Sequence, residues 1–174
     1  MAQLPILAIT AGDPAGAGPE ITARAFANDS VYEMCRPVVI GDPCMMQQAL
    51  VCTGLNDQIR IHVIEDVKDA VYEKSIMNVY DMHLISDPSE IELGKISKEA
   101  GEAAFQYVVK AIQLAMADEV DGTITNAISK EAINLAGHHY SGHTEIYADY
   151  TGTKKYCMML AHNDFRVVHV STHV

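Results

Sequence analysis

The chain has 174 residues, of which 49% are hydrophobic and 20% are charged. These values are typical of a globular chain with a real core, long enough for one domain or for one lobe of a larger protein. The net charge of −11, from 12 basic and 23 acidic residues, argues against a nucleic-acid-binding surface, which needs clustered lysines and arginines.

Three features of the sequence indicate the cellular compartment: the amino terminus, the apolar runs and the cysteines. Residues 1–12 lack the basic stretch that opens a signal peptide. No apolar run approaches the roughly 20 residues needed to span a bilayer. The four cysteines form no CxxC pair, which argues against a zinc site and favours reduced thiols. We therefore expect a cytoplasmic protein that does not enter a membrane.

Predicted strands and helices alternate along most of the chain. Apolar runs and alternating patterns predict strands, and apolar spacings of three and four residues predict helices. The predicted strands are 4–10, 36–41, 59–64, 80–85 and 121–125. The predicted helices are 19–27, 43–52, 97–117 and 130–136, with one more after residues 142–145. This alternation predicts an α/β fold with a substantial sheet.

Two further strands, 156–161 and 166–170, are predicted on either side of a turn at residues 162–164. Because residues 165–173 alternate as a strand, His169 and His173 face the same side about 13 Å apart and cannot bind one metal ion together. The chain stops at Val174, on a strand with nothing after it to cover it. We therefore expect residues 1–174 to be part of a longer polypeptide.

Glycines and prolines are concentrated between residues 12 and 19, directly after the first predicted strand. The segment lacks the Gly-Lys pair of a P-loop, and Ile21 stands where the dinucleotide fingerprint needs its third glycine. The glycines precede a helix whose free N–H groups favour an anion or a carboxylate. Two interpretations stay open, an anion-binding loop and a tight strand-to-helix turn.

The segment 125–145 is the richest in polar functional groups. Its first residues, including Asn126, follow a strand at the sheet edge where α/β proteins bind ligands. Lys130 lies in the first turn of the next helix, where a cation is unfavourable unless it serves an anion. We interpret this segment as a candidate site, and its His138 and His139 as exposed loop residues.

Five motifs occur in an order and spacing typical of one enzyme family: 12–20 (GDPAGAGPE), 94–97 (GKIS) with Gly101, 125–130 (TNAISK), 142–145 (GHTE) and 171–173 (STH). On these motifs the sequence closely resembles the 4-hydroxythreonine-4-phosphate dehydrogenases, including relatives that act on D-threonate or D-erythronate 4-phosphate. The resemblance spans essentially all 174 residues but only the N-terminal part of such enzymes. The departures at Ala17, Asn126 and Ser129 remove no chemical group that the reaction needs.

The resemblance implies an isocitrate/isopropylmalate-dehydrogenase-like fold with two α/β lobes, of which residues 1–174 are roughly the N-terminal half, assembled as a homodimer. It implies oxidation of a secondary hydroxyl β to a carboxylate by NAD or NADP, followed by loss of CO₂. A divalent metal (Zn, Mg, Co or Mn) supports this chemistry. The expected substrate is 4-hydroxythreonine 4-phosphate in pyridoxal phosphate biosynthesis, or a sugar-acid phosphate in catabolism.

The resemblance also implies roles for individual residues. His173 matches the first of three metal-binding histidines, and His143 and Thr144 match residues that contact the phosphorylated substrate. His143 is the expected catalytic residue, as a hydrogen-bond partner of the substrate hydroxyl or of its developing oxyanion. Lys130 and Asp13 are expected to help position anionic groups of the substrate.

Two rival interpretations remain. In the first, the 174-residue chain on its own is a non-catalytic binding fragment. Metal sites take three or more protein ligands, and the chain has only one histidine that matches a metal ligand of the family. In the second, the chain belongs to an enzyme of related fold that transfers acyl groups to phosphate. His173 and the GHTE motif fit the dehydrogenases better.

Overall fold

A computed structural model describes residues 4–169 of the chain. The main sheet is built from β1 (Ile6–Thr10), β2 (Arg36–Gly41), β3 (Arg60–Ile64), β4 (Ile76–Asp81) and β5 (Gly122–Ile124). These strands are all parallel and lie in the order β3-β4-β2-β1-β5. The predicted α/β class with a parallel sheet is confirmed.

Six α-helices accompany the strands within residues 4–169: α1 (Gly18–Phe26), α2 (Asp29–Met34), α3 (Pro43–Thr53), α4 (Lys98–Met116), α5 (Lys130–Leu135) and α6 (His143–Tyr150). Ser97 caps the longest helix, α4, because its hydroxyl accepts a hydrogen bond from the N–H of Ala100 at 3.1 Å. Gly54 ends α3 in the left-handed conformation that glycine adopts without strain. Across these described residues, no helix combines the length and the apolar character required to cross a bilayer.

The strand order places the helices on both faces of the sheet. The connections from β1 to β2 and from β2 to β3 run toward one edge, and the connection from β4 to β5 runs toward the other. Because such crossovers are right-handed, α1 and α3 cover one face and α4 covers the other. Helix α5, which follows β5, packs against α4 and so lies on the α4 face, whereas α1, which follows β1, lies on the other face. The chain therefore leaves the neighbouring strands β1 and β5 toward opposite faces of the sheet. Ligands of open α/β sheets bind at the carboxyl ends of such strand pairs.

The core fills both faces of the central strands. Strands β2 and β4 are largely buried on both faces, with Val38, Val39, Ile40 and Val79 completely buried. Helix α4 approaches α5 so closely that a Cβ at Gly101 would overlap the backbone of Ala132. A glycine at this position therefore sets the distance between the helices that flank the candidate site.

A separate two-stranded antiparallel sheet is formed by β6 (Met159–His162) and β7 (Phe165–Val168). Asn163 takes a left-handed conformation, with φ of 50°, in the turn between them. Every residue of the two strands is exposed in the described part of the chain. Both strands were predicted, but they are shorter than predicted, and Val170 lies outside the described residues.

One prediction of local structure is wrong, and one helix was missed. The strand predicted at 80–85 occupies Ile76–Asp81 instead, because the buried strand contains Asn78, which interrupts its apolar pattern. The short helix α2 was not predicted. All four cysteines are free, as expected, but only Cys35 is buried, and Cys52 and Cys157 are exposed.

Candidate active site at the carboxyl edge of the sheet

The glycine-rich segment after β1 forms a tight turn stabilised by Asp13. The Asp13 carboxylate accepts a hydrogen bond from the N–H of Ala15 at 2.9 Å, and the Asp13 N–H donates to the carbonyl of Ala127 at 3.0 Å. Burial raises the pKa of Asp13, and hydrogen bonds from the backbone N–H groups of Ala15 and Ser129 offset part of this rise. The Asp13 side chain therefore binds the protein's own backbone in this structure.

Two glycines of this segment are required by internal packing. A Cβ at Gly12 would lie 2.7 Å from the carbonyl oxygen of Ala127, and its φ of +80° also disfavours other residues. A Cβ at Gly18 would overlap the carbonyl oxygen of Ala11. The tight strand-to-helix turn, one of the two interpretations left open by the sequence, explains both glycines without a ligand.

Asn126, just after β5, holds this turn against the neighbouring loop. Its side-chain amide donates to the carbonyl of Thr10 at 2.8 Å and to the hydroxyl of Thr22 at 2.7 Å. Its backbone N–H donates to the Thr10 hydroxyl at 3.2 Å. Thr10 and Thr22 are both buried. Asn126 was predicted to lie at the sheet edge, but its hydrogen bonds were not, because its partners are more than 100 positions away along the chain.

His143 and Thr144 are the first two residues of α6, which therefore begins earlier than predicted, since the GHTE motif was expected to precede the helix. Nε2 of His143 is buried and has no hydrogen-bond partner among the described residues. Burial lowers the pKa of His143 below its ordinary value of 6.5, and a hydrogen bond with the backbone carbonyl of Asn126 only partly opposes this. His143 is therefore a neutral imidazole at pH 7, which can accept a proton or a hydrogen bond.

A groove of about 340 Å³ opens along α6. Its lining consists of His143, Thr144, Tyr147, Ala148, Thr151, Thr153 and Tyr156. The hydroxyl of Tyr147 donates to Oγ1 of Thr123 at 2.7 Å, which fixes α6 to β5. The groove thus combines an apolar wall with hydroxyl groups and an imidazole, a composition typical of a small-molecule site.

Lys130, the predicted partner of an anion, is the first residue of α5 and is exposed. Ser129 caps this helix by accepting a hydrogen bond from the N–H of Ala132 at 3.2 Å. Lys130 does not line the groove at His143. Among residues 4–169 its amine makes no ion pair, so it remains available to an anionic group.

The described residues do not by themselves fit a metal or a dinucleotide. No group of three or more histidine, cysteine, aspartate or glutamate side chains within residues 4–169 is arranged to hold a metal ion. His173, the predicted metal ligand, lies outside these residues. The segment 12–18 lacks the dinucleotide fingerprint, and Gly12 and Gly18 are packed against backbone instead of lining an open cradle.

The interpretation of His138 as an exposed loop residue is wrong. Its side chain is 23% exposed, and its Nε2 lies 2.7 Å from Oε2 of Glu102. Its ring also stacks on Phe105 at a centroid distance of 3.6 Å. His139 is exposed, as expected, and contacts the side chain of Asn134. The partners of His138 come from α4, too distant in sequence to be recognised from the motif.

Comparison with known proteins identifies the family. Residues 33–174 match the family of the pyridoxal phosphate biosynthetic protein PdxA. The chain is 40% identical over 169 residues to a 4-hydroxythreonine-4-phosphate dehydrogenase from Desulfosudis oleivorans, covering 97% of this chain and 49% of that protein. It is 37% identical over 171 residues to a D-threonate 4-phosphate dehydrogenase from Cupriavidus necator, covering 98% of this chain and 50% of that protein.

Solved structures give the same result. The crystal structure of a 4-hydroxythreonine-4-phosphate dehydrogenase from Burkholderia phymatum matches with a TM-score of 0.92 and 40% identity, over 99% of this chain and 51% of that one. A terephthalate 1,2-cis-dihydrodiol dehydrogenase from Burkholderia xenovorans matches with a TM-score of 0.69 and 26% identity, over 96% of this chain and 48% of that one. The chain thus spans about half the length of the relatives it matches, and it belongs to the PdxA family of dehydrogenases.

Proposed function

We propose that this chain is the N-terminal portion of a two-lobed, homodimeric, cytoplasmic dehydrogenase that oxidises a 4-phosphorylated hydroxy acid with NAD or NADP. The proposed substrate is 4-hydroxythreonine 4-phosphate, which would place the protein in pyridoxal phosphate biosynthesis. D-threonate 4-phosphate is the second candidate, because relatives named for the two activities are 40% and 37% identical to this chain.

The observation that carries the proposal is the state of His143. Its imidazole is neutral near pH 7, has a buried nitrogen without a partner among the described residues, and lines the groove along α6. A buried imidazole nitrogen that lacks a partner is costly unless a ligand or water supplies one. A substrate hydroxyl has the proton that such a nitrogen would accept.

The reaction divides between the cofactor and the chain. Bound NAD or NADP would supply the acceptor for the hydride of the hydroxyl-bearing carbon, and the substrate hydroxyl would lose its proton to the chain. His143 would accept that hydrogen bond or proton, and would donate back to the oxyanion that forms when the C–C bond to the carboxylate breaks and CO₂ leaves. Thr144 would bind the substrate beside His143, while Lys130 and the turn containing Asp13 would favour its anionic groups.

A divalent metal would polarise the hydroxyl and the adjacent carboxylate. His173 is the proposed ligand from this chain. Since residues 4–169 contain no metal-binding cluster, the remaining ligands would have to come from outside these residues. Among the described residues, the proposed mechanism therefore uses His143 and Thr144 at the reacting group and Lys130 and Asp13 for the anionic groups of the substrate.

The test is NADH production by the longer protein that the proposal implies, with 4-hydroxythreonine, D-threonate and D-erythronate 4-phosphates as candidate substrates. His143→Gln should lower kcat/KM by about 100-fold or more, since it removes a general base. His139→Gln is the matched control, because His139 is exposed and outside the groove; its activity should stay within about twofold of the wild type. Equal activity of the two variants would overturn the role of His143.

The 174-residue chain assayed alone separates the enzyme from the binding fragment. Because the motifs assign only one of the three metal-binding histidines, His173, to this chain, we expect no appreciable NADH production from it. Turnover by this chain would contradict the ligand count. Analytical ultracentrifugation of the longer protein tests the homodimer, and a monomer that turns over substrate would refute that part of the proposal.

A further inference from the structure

Residues 137–142 form the loop that leads from α5 into α6, and the loop ends directly before His143. Two of its side chains, His138 and Tyr140, are partly buried, whereas His139 between them is exposed. The contacts of His138 and Tyr140 therefore attach this loop to the rest of the fold, immediately ahead of the proposed catalytic group.

His138 is bound to α4 in two ways. Because a carboxylate only accepts hydrogen bonds, Nε2 of His138 donates to Oε2 of Glu102, at 2.7 Å. The other oxygen of Glu102 accepts from Nε2 of Gln106 at 2.8 Å, which fixes the carboxylate on the helix. The imidazole also stacks on the ring of Phe105, with 3.6 Å between the centroids and 11° between the planes. The hydrogen bond and the stacked ring together fix both the position and the tilt of the imidazole.

The same aromatic group reaches α6. The ring of Phe105 lies 5.7 Å from that of Tyr140 and 6.0 Å from that of Tyr150, the last residue of α6. The hydroxyl of Tyr140 donates to Oδ2 of Asp149 at 2.5 Å. Ile146, in the middle of α6, is completely buried in the apolar cluster that contains Phe105. The loop and α6 are thus held together against one side of α4.

These contacts set the position of the groove along α6. His143 and Thr144 form the start of this eight-residue helix, and both line the groove. Because a short helix held at its middle and its far end moves as one body, a change in its attachment also moves its first residues. A displacement of about 1 Å at a reacting group can cost about 100-fold in rate.

We propose that His138 is a positioning residue for His143: held by Glu102 and Phe105, it fixes the loop that leads into α6 and so keeps the imidazole of His143 in the wall of the groove. This inference rests on the proposed function only for the part that His143 takes in the reaction. The attachment of α6 can be measured without substrate, metal or cofactor.

The first test is amide hydrogen exchange of residues 143–150, followed by mass spectrometry in the longer protein. His138→Ala removes the hydrogen bond and the stacked ring, so α6 should open more often and exchange roughly three- to tenfold faster. His139→Ala is the matched control, since it removes the neighbouring imidazole, which contacts Asn134 on α5. Unchanged exchange in a folded His138→Ala variant, or an equal increase in His139→Ala, would overturn the proposal.

His138→Phe keeps the proposal testable if His138→Ala does not fold. It retains a flat ring on Phe105 and loses only the hydrogen bond to Glu102. Exchange of residues 143–150 should therefore still rise, by roughly threefold. Exchange equal to that of the wild type would show that the bond to Glu102 does not hold α6, and the proposal would be wrong.

The second test asks whether the effect reaches His143. In the longer protein, His138→Ala should lower kcat/KM by about tenfold, because the imidazole of His143 is displaced. A positioning residue acts through the group that it positions, so the same change in a His143→Gln background should lower kcat/KM by less than about twofold. A residue that only supports the fold would lower kcat/KM by the same factor in both backgrounds, and that result would refute the positioning role.

The two tests separate this inference from the proposed function. Wild-type activity of His143→Gln alone would refute the catalytic role of His143, while the exchange of residues 143–150 would still decide whether His138 holds α6. Conversely, unchanged exchange in the His138 variants with a large loss of activity in His143→Gln would refute the positioning role and leave the proposed function intact.

Discussion

The hydroxyl of Tyr107 donates a hydrogen bond to Oδ2 of Asp42 at 2.5 Å, joining the middle of α4 to the end of β2. The other carboxylate oxygen accepts from the N–H of Leu84 at 2.8 Å, in the loop after β4. Asp42 is only 1% exposed. Burial raises the pKa of Asp42, and the hydrogen bonds from Tyr107 and Leu84 lower it in part. One buried carboxylate thus orders two segments at the carboxyl edge of the sheet.

Replacement of Tyr107 by phenylalanine should destabilise the fold markedly. The change leaves one oxygen of a buried carboxylate without a donor, and hydrogen bonds to charged groups contribute about 1.5–3 kcal/mol. We expect a loss of that size in the free energy of unfolding at pH 7, measured by urea denaturation with the slope of the transition unchanged.

Tyr32→Phe is the matched control for this change. The Tyr32 hydroxyl donates to the carbonyl of Ile76 at 3.3 Å, a longer bond to a neutral acceptor. Such bonds contribute about 0.5–1.5 kcal/mol, so Tyr32→Phe should cost less than Tyr107→Phe. Equal losses of unfolding free energy in the two variants would mean that the hydrogen bond to Asp42 stabilises the fold no more than an ordinary one.

Gly18→Ala should disrupt the turn after β1. The added methyl group would overlap the Ala11 carbonyl, and backbone cannot move aside as a flexible side chain can. Overpacking of this kind costs about 1–3 kcal/mol. The free energy of unfolding, measured by thermal or urea denaturation, should fall by that amount.

Gly16→Ala provides the control within the same turn. A Cβ there would lie 3.4 Å from the nearest atom, the carbonyl oxygen of Asp13, which is an ordinary contact. Because alanine also restricts the unfolded chain, this substitution should be neutral or stabilising by up to about 1 kcal/mol. If both variants lost stability equally, the turn would need its glycines for flexibility and not for close packing.

The main strands and helices were predictable because their apolar patterns are local. Strand β4 was misplaced because Asn78 lies within it and is 1% exposed. Its side chain is satisfied by the backbone of Val71, donating to the carbonyl at 2.9 Å and accepting from the N–H at 2.8 Å. The sequence of the loop before β4 does not reveal that Val71 is the partner of Asn78. A polar residue at this position is therefore more typical of a loop than of a buried strand.

The site was predictable only as far as its motifs reach. The GHTE motif predicted a helix directly after residues 142–145, and in the structure that helix already begins at His143. The contacts of Asn126 with Thr10 and Thr22 connect residues that are 116 and 104 positions apart, and only the folded sheet brings them together. His138 was misread for the same reason, since its partner Glu102 is 36 positions away.

The hydrogen bond between Glu102 and His138 should make stability depend on acidic pH. Burial by itself would raise the pKa of Glu102. Hydrogen bonds from Gln106 and His138 lower this pKa by more than burial raises it, so that it lies below 4.5. A carboxyl group with a lowered pKa stabilises the fold above its unfolded pKa and loses this contribution as the pH falls through the folded value. Glu102→Gln should therefore destabilise the chain at about pH 7 and have little effect at about pH 3.

Glu119→Gln serves as the control for Glu102→Gln. Within residues 4–169 the Glu119 side chain makes no ion pair and no side-chain hydrogen bond. The difference in free energy of unfolding between wild type and this variant should thus stay nearly constant between the two pH values. Because the Glu102 side chain is 38% exposed, its effect should be small but should disappear on acidification. A constant difference for Glu102→Gln would contradict the pairing.

His143 should produce a second pH dependence, at higher pH than that of Glu102. Burial lowers the pKa of this imidazole in the folded chain, whereas in the unfolded chain it titrates near 6.5. The unfolded state therefore takes up the proton first on acidification, and stability falls as the pH decreases from 6.5 through the folded value.

His143→Gln cannot take up a proton, so between about pH 7.5 and about pH 5 it should lose less stability than the wild type. His139→Gln, at an exposed position, should follow the wild-type curve in urea denaturation across the same range. Superimposable curves for all three proteins would mean that the imidazole is accessible to water and not buried beside the groove.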